Sequence, residues 1–276
     1  MSHPLDVLTT VVEPQEASAA PAADGTGPRA VTTRTHPAWA NMVGPYGGAT
    51  AAQALGAVTR DPRAQGRPAA LTLNFVAPVA DGEMSIVVEP VRTNRTNQHW
   101  TVRIEQEAGA VMTGTALLAT PRDTFSETEV VPPEVPRPQD LEPTSMAAAG
   151  LPWMDNYEFR MLQGRPDEPG ESSETVMWLS QAQPRPWDHL SLAAASDAFF
   201  PRIFARTGRM SPAGTITYTA YFHAGPRELA QQGEHLLCRA RASRFHKGLF
   251  DQVGHVWGED GRLLVTTTQL VYFKGV

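Results

Sequence analysis

The chain carries few side chains arranged for chemistry, and most of them lie in its second half. Asp197 stands inside the apolar run Trp187-Asp-His-Leu-Ser-Leu-Ala-Ala-Ala-Ser-Asp-Ala-Phe-Phe-Pro201. A carboxyl there either caps a neighbouring element, pairs with an arginine such as Arg202 or Arg206, or does chemistry. Asp188 and His189 are adjacent, His223 ends the strand-like Tyr221-Phe-His223, and His246-Lys-Gly248 forms a hairpin turn where a phosphate can land. Several mechanisms fail on residue type and spacing. The single Cys238 sits in the alternating Leu236-Leu-Cys-Arg-Ala240 and reads as a packed side chain rather than a nucleophile. There is no G-x-S-x-G elbow for a serine nucleophile. The eight histidines are scattered without ligand spacing, so no metal is expected. Gly44-Pro-Tyr-Gly-Gly48 lacks both the lysine of a phosphate loop and the third glycine of a dinucleotide fingerprint.

The elements that must position these residues come in two similar sets. Leu71-Thr-Leu-Asn-Phe-Val-Ala-Pro78 is echoed by Tyr218-Thr-Ala-Tyr-Phe-His-Ala-Gly225, and each leads through alternating runs and a glycine turn, near Gly109 and Gly261, into a closing strand. In the first set, alternation predicts strands over residues 30–34, 69–77, 83–92, 97–107 and 110–119, with a small-residue helix over 49–58. In the second, strands are predicted over 156–163, 174–182, 214–223, 234–245, 248–258 and 262–274. A helix opens there with Asp188 as N-cap and kinks or ends at Pro201. The order is therefore residues 1–29 as a flexible lead-in, 30–120 as a first domain, 121–153 as a Pro/acidic linker and 154–276 as a second domain. Polar groups kept in only one copy suggest one working site and one copy turned structural.

Composition bounds the function. The 276 residues, 41% apolar and 19% charged, suffice for a sizeable core. A net charge of -6 argues against a nucleic-acid surface. Only Lys247 and Lys274 are lysines; the abundant arginine suits phosphate contacts or reflects base composition. One cysteine fits a reducing compartment, no run is long enough to span a bilayer, and Met1-Ser-His-Pro-Leu-Asp6 lacks the features of a signal peptide, so a cytoplasmic, non-membrane protein is expected.

An apolar helix embraced by a curved antiparallel sheet, twice in one chain, resembles the α+β double hotdog fold. The pieces Gly47-Gly-Ala-Thr-Ala-Ala-Gln-Ala-Leu55, Phe75-Val-Ala-Pro78, Ala195-Ser-Asp197, Gly214-Thr-Ile216 and Thr266-Thr-Thr-Gln269, in this order, resemble the acyl-CoA thioesterase II family over residues 36–274. The resemblance implies that Asp197, Thr215 and Gln269 hold a water against a thioester, a carbonyl reactive enough to need no protein nucleophile. Asp197 then serves as general base or, by the other route, forms an anhydride, and helix-start N–H groups receive the oxyanion. Aligning the copies puts Gln53 at the place of Asp197 and Gln269 near Leu117. The first copy thereby becomes a scaffold shaping the substrate channel, with Gly47 and Gly48 permitting close backbone approach. Gln53, His223, Lys247 and Gly248 join them as expected substrate contacts. The implied substrate is an acyl-CoA or related acyl thioester, with no cofactor beyond the coenzyme A of the substrate itself, and a homodimer or larger homo-oligomer is expected. Two rivals stand beside this reading. A hotdog hydratase would use a spaced Asp/His pair, which Asp188-His189 is not, and a non-catalytic acyl-thioester binding protein would share the fold without turnover.

Overall fold

The computed structural model describes residues 2–11, 27–146 and 149–275. The first copy contains β1 (Arg29–Arg34), α2 (Gly47–Thr59), β2 (Arg67–Phe75), β3 (Glu83–Thr93), β4 (Asn97–Gln106) and β5 (Gly109–Ala119). It is preceded by a short helix, α1 (Pro4–Leu8). The second copy contains β6 (Tyr157–Gln163), β7 (Thr175–Gln181), α3 (His189–Ala195), α4 (Arg202–Thr207) and β8 (Ala213–Phe222). It closes with α5 (Pro226–Leu229), β9 (His235–Arg241), the two-residue β10 (Phe245–His246), β11 (Leu249–Gly258) and β12 (Leu263–Phe273). The strands match the alternating segments of the sequence to within a few residues, because period-2 patterning is a local property of a half-buried strand, except that the strand expected over 234–245 divides into β9 and β10.

All strands join one antiparallel twelve-stranded sheet in the order β1-β3-β4-β5-β2-β8-β12-β11-β9-β7-β6, with β10 on β11. The order is palindromic about the β2–β8 contact, apart from the extra β6. At that seam Thr72 lies opposite Thr219, and their hydroxyls bond at 3.0 Å. Each copy is thus a hotdog, and the two are fused edge to edge into a double hotdog. The sheet curls around α2 and α3, which pack on one another. In α2 every residue from Gly48 to Val58 is buried, the pattern of a helix covered on all sides. Its alanines and glycines let α3 and the sheet approach closely.

Three expectations change in the structure. Residues 12–26 of the expected flexible lead-in lie outside the described residues, but α1 is packed, with Leu5 and Leu8 buried and Trp39 Nε1 donating to the Pro4 carbonyl at 3.3 Å. The linker is more than a tether. Val135 and Leu141 pack on an apolar cluster of Val176, Trp178, Leu237 and Trp257, and Trp178 Nε1 donates to the Pro136 carbonyl at 3.0 Å. Finally, Asp188 does cap α3, accepting from the Ser191 N–H at 2.8 Å, but α3 stops at Ala195 and Pro201 N-caps α4 instead. Asp197 therefore lies in the turn after the helix. Among the described residues no helix is long and apolar enough to cross a membrane.

Candidate active site

A cavity of about 380 Å³ opens where the start of α2, the turn after α3 and the adjoining ends of β2, β8 and β12 converge. Its mouth is rimmed by the exposed Met42, Val43, Val76, Met210 and Tyr272. Farther in, its wall is the buried Trp153, Met154, Phe199, Phe200 and Phe204, and the chain between the copies supplies Met146, Leu151 and Trp153.

Asp197, Thr215 and Gln269 meet on this wall. Thr215 Oγ1 donates to Gln269 Oε1 at 3.0 Å, and Gln269 Nε2 donates to Asp197 Oδ1 at 2.7 Å. The ionised carboxylate, an acceptor only, holds the amide with Nε2 toward it, and Oε1 is left to accept from the Thr215 hydroxyl. The strand geometry that permits this is a β-bulge. Tyr218, Ala220 and Phe222 point inward, so unbroken alternation would turn Thr215 outward. Pairing shifts from Leu270↔Thr217 to Val271↔Thr215, leaving Ile216 extra, and the extra residue turns Thr215 to the same face as Gln269.

The carboxyl itself is held at the junction of the two copies. The Gly48 N–H bonds to Asp197, and this bond with that of Gln269 opposes the burial that pushes the Asp197 carboxyl up to about 7. A Cβ on Gly47 would lie 2.9 Å from Asp197 Oδ2. One on Gly48 would stand 2.7 Å from the Tyr46 ring and collide with the Ala194 carbonyl. These two positions need glycine because of close approach, not because of φ.

Two phenols cap the end of α3. Tyr46, the residue before α2, donates to the Ala194 carbonyl at 2.6 Å, and Tyr218 of β8 donates to the Ala193 carbonyl at 3.1 Å. Ser196 Oγ lies 2.6 Å from the Tyr218 hydroxyl. The last carbonyls of a helix lack intrahelical donors, and here a residue of the other copy supplies one. Trp153 stacks on Tyr46 with ring centroids 4.2 Å apart and planes 5° from parallel, clamping it from the linker side. Burial raises both phenols above their ordinary range, so they remain neutral donors.

Comparison of the copies shows what the first has lost. The first carries a matching bulge, at Ala69 between Pro68↔Leu118 and Ala70↔Leu117. With Thr72 equivalent to Thr219, Pro68 takes the place of Thr215. Gln269 lies opposite Tyr218, whose equivalent Leu71 lies opposite Ala116. Ala116 rather than Leu117 is therefore the counterpart of Gln269, and neither counterpart carries chemistry.

The remaining expected contacts are distributed differently. Gly47 lines the cavity and Gly48 touches Asp197. Gln53 does not line the cavity, which corrects its expected role: it is buried, and its Nε2 donates to the Leu8 carbonyl at 3.1 Å, Thr33 Oγ1 at 3.1 Å and the Arg34 carbonyl at 3.0 Å. It anchors α1 and β1. His223 is also corrected, since its Nε2 lies 3.0 Å from Thr266 Oγ1, on the sheet face opposite Gln269. Lys247, at φ 48°, and Gly248 do not line the cavity; they form the turn into β11, where the Phe273 N–H, next in sequence to the rim residue Tyr272, donates to the Gly248 carbonyl at 2.8 Å. His189 is buried at the far end of α3, its Nε2 3.1 Å from the Ala224 carbonyl, and Asp188 pairs with Arg185, so no hydratase-like pair reaches the cavity. Among the described residues no cluster of His, Cys, Asp and Glu has the form of a metal site. Tyr46, Trp153, Tyr218 and Gln252, all at or beside the cavity wall, went unremarked in the sequence. An inward glutamine on the alternating β11 was the one available signal, and nothing local marked the aromatics.

Two fused hotdogs sharing one polar-walled apolar cavity define a class, and comparison with known proteins specifies it. Residues 35–119 match the acyl-CoA thioesterase N-terminal domain, and residues 131–273 match the acyl-CoA thioesterase C-terminal domain. The chain belongs to the acyl-CoA thioesterase family. It is similar over 100% of both chains, at 40% identity and a TM-score of 0.91, to a conserved protein of unknown function with a hotdog fold from Alicyclobacillus acidocaldarius. It shares its fold with the tesB protein of Mycobacterium avium subsp. paratuberculosis (19% identity, TM-score 0.75, 99% of this chain and 100% of that one). It shares it equally with the acyl-CoA thioesterase II TesB2 of Mycobacterium marinum (17% identity, TM-score 0.73, 99% of this chain and 98% of that one). No curated protein matches the chain.

Proposed function

We propose that the protein hydrolyses a fatty or related acyl-CoA to the free acid and coenzyme A, with a water activated by Asp197. The observation that carries this reading is the convergence of Asp197, Gln269 and Thr215 with the start of α2 at one point of a mostly apolar cavity. Gln269 and the Gly48 N–H occupy part of the carboxylate, and a remaining lone pair takes the proton of the water as its oxygen attacks the thioester carbonyl carbon. A carboxyl poised near neutrality is matched to that task. The carbonyl electrons move to oxygen, where the Gly47 amide at the helix start, which has no intrahelical acceptor, stabilises the charge. Collapse of the tetrahedral intermediate breaks the C–S bond, the coenzyme A thiolate leaves with the electron pair, and it takes up the proton from Asp197, restoring the carboxylate.

Lys247 and Lys274, the only lysines of the chain, support coenzyme A as the carrier. Lys274 Nζ stands 5.8 Å over the Tyr272 ring at the mouth, and Lys247 occupies the adjoining turn, a pair of point charges suited to the nucleotide phosphates. The test is thiol release from acetyl- to long-chain and aromatic acyl-CoAs by wild type and Asp197→Asn. Turnover lost in the variant while acyl-CoA still binds is expected. Binding without turnover in wild type would instead make this an acyl-thioester binding protein.

A further inference from the structure

Gln252 is a polar residue deep in the cavity wall that the hydrolytic reading leaves without a task. It lies on β11 directly opposite Gln269 on β12. Side chains so paired leave the same face of the sheet with Cβ atoms about 5 Å apart. Gln252 lines the cavity and is only 2% exposed, yet its amide Nε2 has no hydrogen-bond partner among the described residues. Gln269 beside it has both ends of its amide engaged. No side chain among the described residues bonds to Gln252 Nε2, and the buried hydroxyl of Thr267, the next inward residue of β12, is likewise unpartnered. The next inward position on β11 is Gly254, and the Phe199 ring lies against it where a Cβ would come within 2.8 Å.

The first copy shows how the same position is built when it serves structure alone. There Trp100 lies opposite Ala116, filling the space, and Trp100 Nε1 donates to Gln98 Oε1 at 2.8 Å. The second copy exchanges a filled, satisfied site for an open one with an unpaired amide. Buried amides in folded proteins are normally paired, because an unpaired one costs stability. The cavity that Gln252 lines is where a molecule entering it can supply that partner.

We infer that Gln252 bonds to an oxygen carried by the acyl group, and that the preferred substrates are acyl thioesters bearing a hydroxyl or keto oxygen a few carbons from the thioester. This rests on the proposal that the cavity is an acyl-thioester site. Gln252 lies one strand, about 4.8 Å, beyond Gln269. That offset selects oxygen on the third to fifth carbon rather than at the chain end. A glutamine amide presents a donor or an acceptor by turning about its last torsion, so it serves hydroxyl and keto groups alike. A plain alkyl chain leaves it unpaired.

The experiment compares kcat/KM for hexanoyl-CoA with 3-hydroxyhexanoyl-, 3-oxohexanoyl- and 5-hydroxyhexanoyl-CoA, in wild type and in Gln252→Met, which keeps the volume and removes the amide. Wild type is expected to favour at least one oxygenated substrate about ten-fold or more, the factor an unmade buried hydrogen bond carries. In Gln252→Met the ratio falls to about one and hexanoyl turnover rises. Equal turnover of all four by wild type, or a preference that survives Gln252→Met, would overturn the inference. Dissociation constants of the same four ligands for Asp197→Asn and Asp197→Asn/Gln252→Met separate this from the hydrolytic reading. If wild type hydrolyses none of them, hydrolysis fails as the function, and tighter binding of an oxygenated ligand that is lost in the double variant still supports the role of Gln252. Equal binding of all four refutes it.

Discussion

Gln269→Met tests how the site sets the charge of its acid. The Asp197 carboxyl is pushed up to about 7 by burial, and two hydrogen bonds, from Gln269 Nε2 and the Gly48 N–H, restrain that rise. The Gln269 bond is short, at 2.7 Å, and its acceptor is charged when Asp197 is ionised. A hydrogen bond to a charged group contributes about 1.5 to 3 kcal/mol. At about 1.4 kcal/mol per pKa unit this amounts to roughly one to two units. The bond favours the ionised form, so its loss raises the pKa. Methionine matches the length of glutamine without its donor, leaving the Gly48 N–H as the remaining restraint and Thr215 without its acceptor. The acid limb of kcat/KM against pH is therefore expected to move from near 7 to roughly 8 to 9. At pH 7 the ionised fraction falls from about half to roughly a tenth or less. Thiol release between about pH 5.5 and 9.5, with circular dichroism at each pH to show an intact fold, reads the shift directly. A limb that stays near 7, or moves to lower pH, while the rate falls would refute the assignment of Gln269 to the carboxylate.

Other outcomes follow from the same geometry. Gly48→Ala drives a methyl against the Tyr46 ring and the Ala194 carbonyl. It is expected to cost about 1 to 3 kcal/mol by overpacking and to lower kcat about 100-fold by displacing the acid about 1 Å; a thermal melt and a turnover assay check both, and an unimpaired variant would show that the two helices can part freely. Tyr46→Phe removes one cap of α3. A loss of about 1 kcal/mol in urea unfolding is expected, because the Ala194 carbonyl keeps only the Asp197 N–H at 3.2 Å, together with a raised acid limb, because the less fully capped negative helix end then faces Asp197. Asp197→Asn should stabilise the protein in a pH-dependent way. The folded pKa lies above the unfolded one, so between about 4 and 7 the native state holds the proton that the unfolded state has released, and wild-type stability falls as pH rises through that window. At about 1.4 kcal/mol per pKa unit the variant is accordingly expected to gain about 4 kcal/mol over wild type at pH 8 and to match it below pH 4; melting curves at several pH values that run parallel would contradict the raised pKa.

The sequence by itself carried what is local. Alternation located the strands from β2 to β12, small residues marked the helix after Gly44-Pro-Tyr46, and Asp188 announced the start of α3, because each depends on neighbours within a few residues. The repeat carried the duplication, two copies of one order of elements, while their palindromic fusion through β2 and β8 came from the structure. Residue types and order also singled out Asp197, Thr215 and Gln269. Their meeting depends on the bulge at Ile216, which inverts the inward and outward phase of β8, and a gapped alignment of the copies cannot see such a phase change. The same blindness placed Gln53 in the site and slipped Ala116 by one residue. Tertiary structure alone decided that Tyr46 of one copy caps the helix of the other, that Trp153 of the linker closes the cavity, and that Gln252 stands unpaired beside Gln269. These are contacts between distant segments, fixed by how helix ends and strand registers meet, and no local pattern of side chains encodes that meeting.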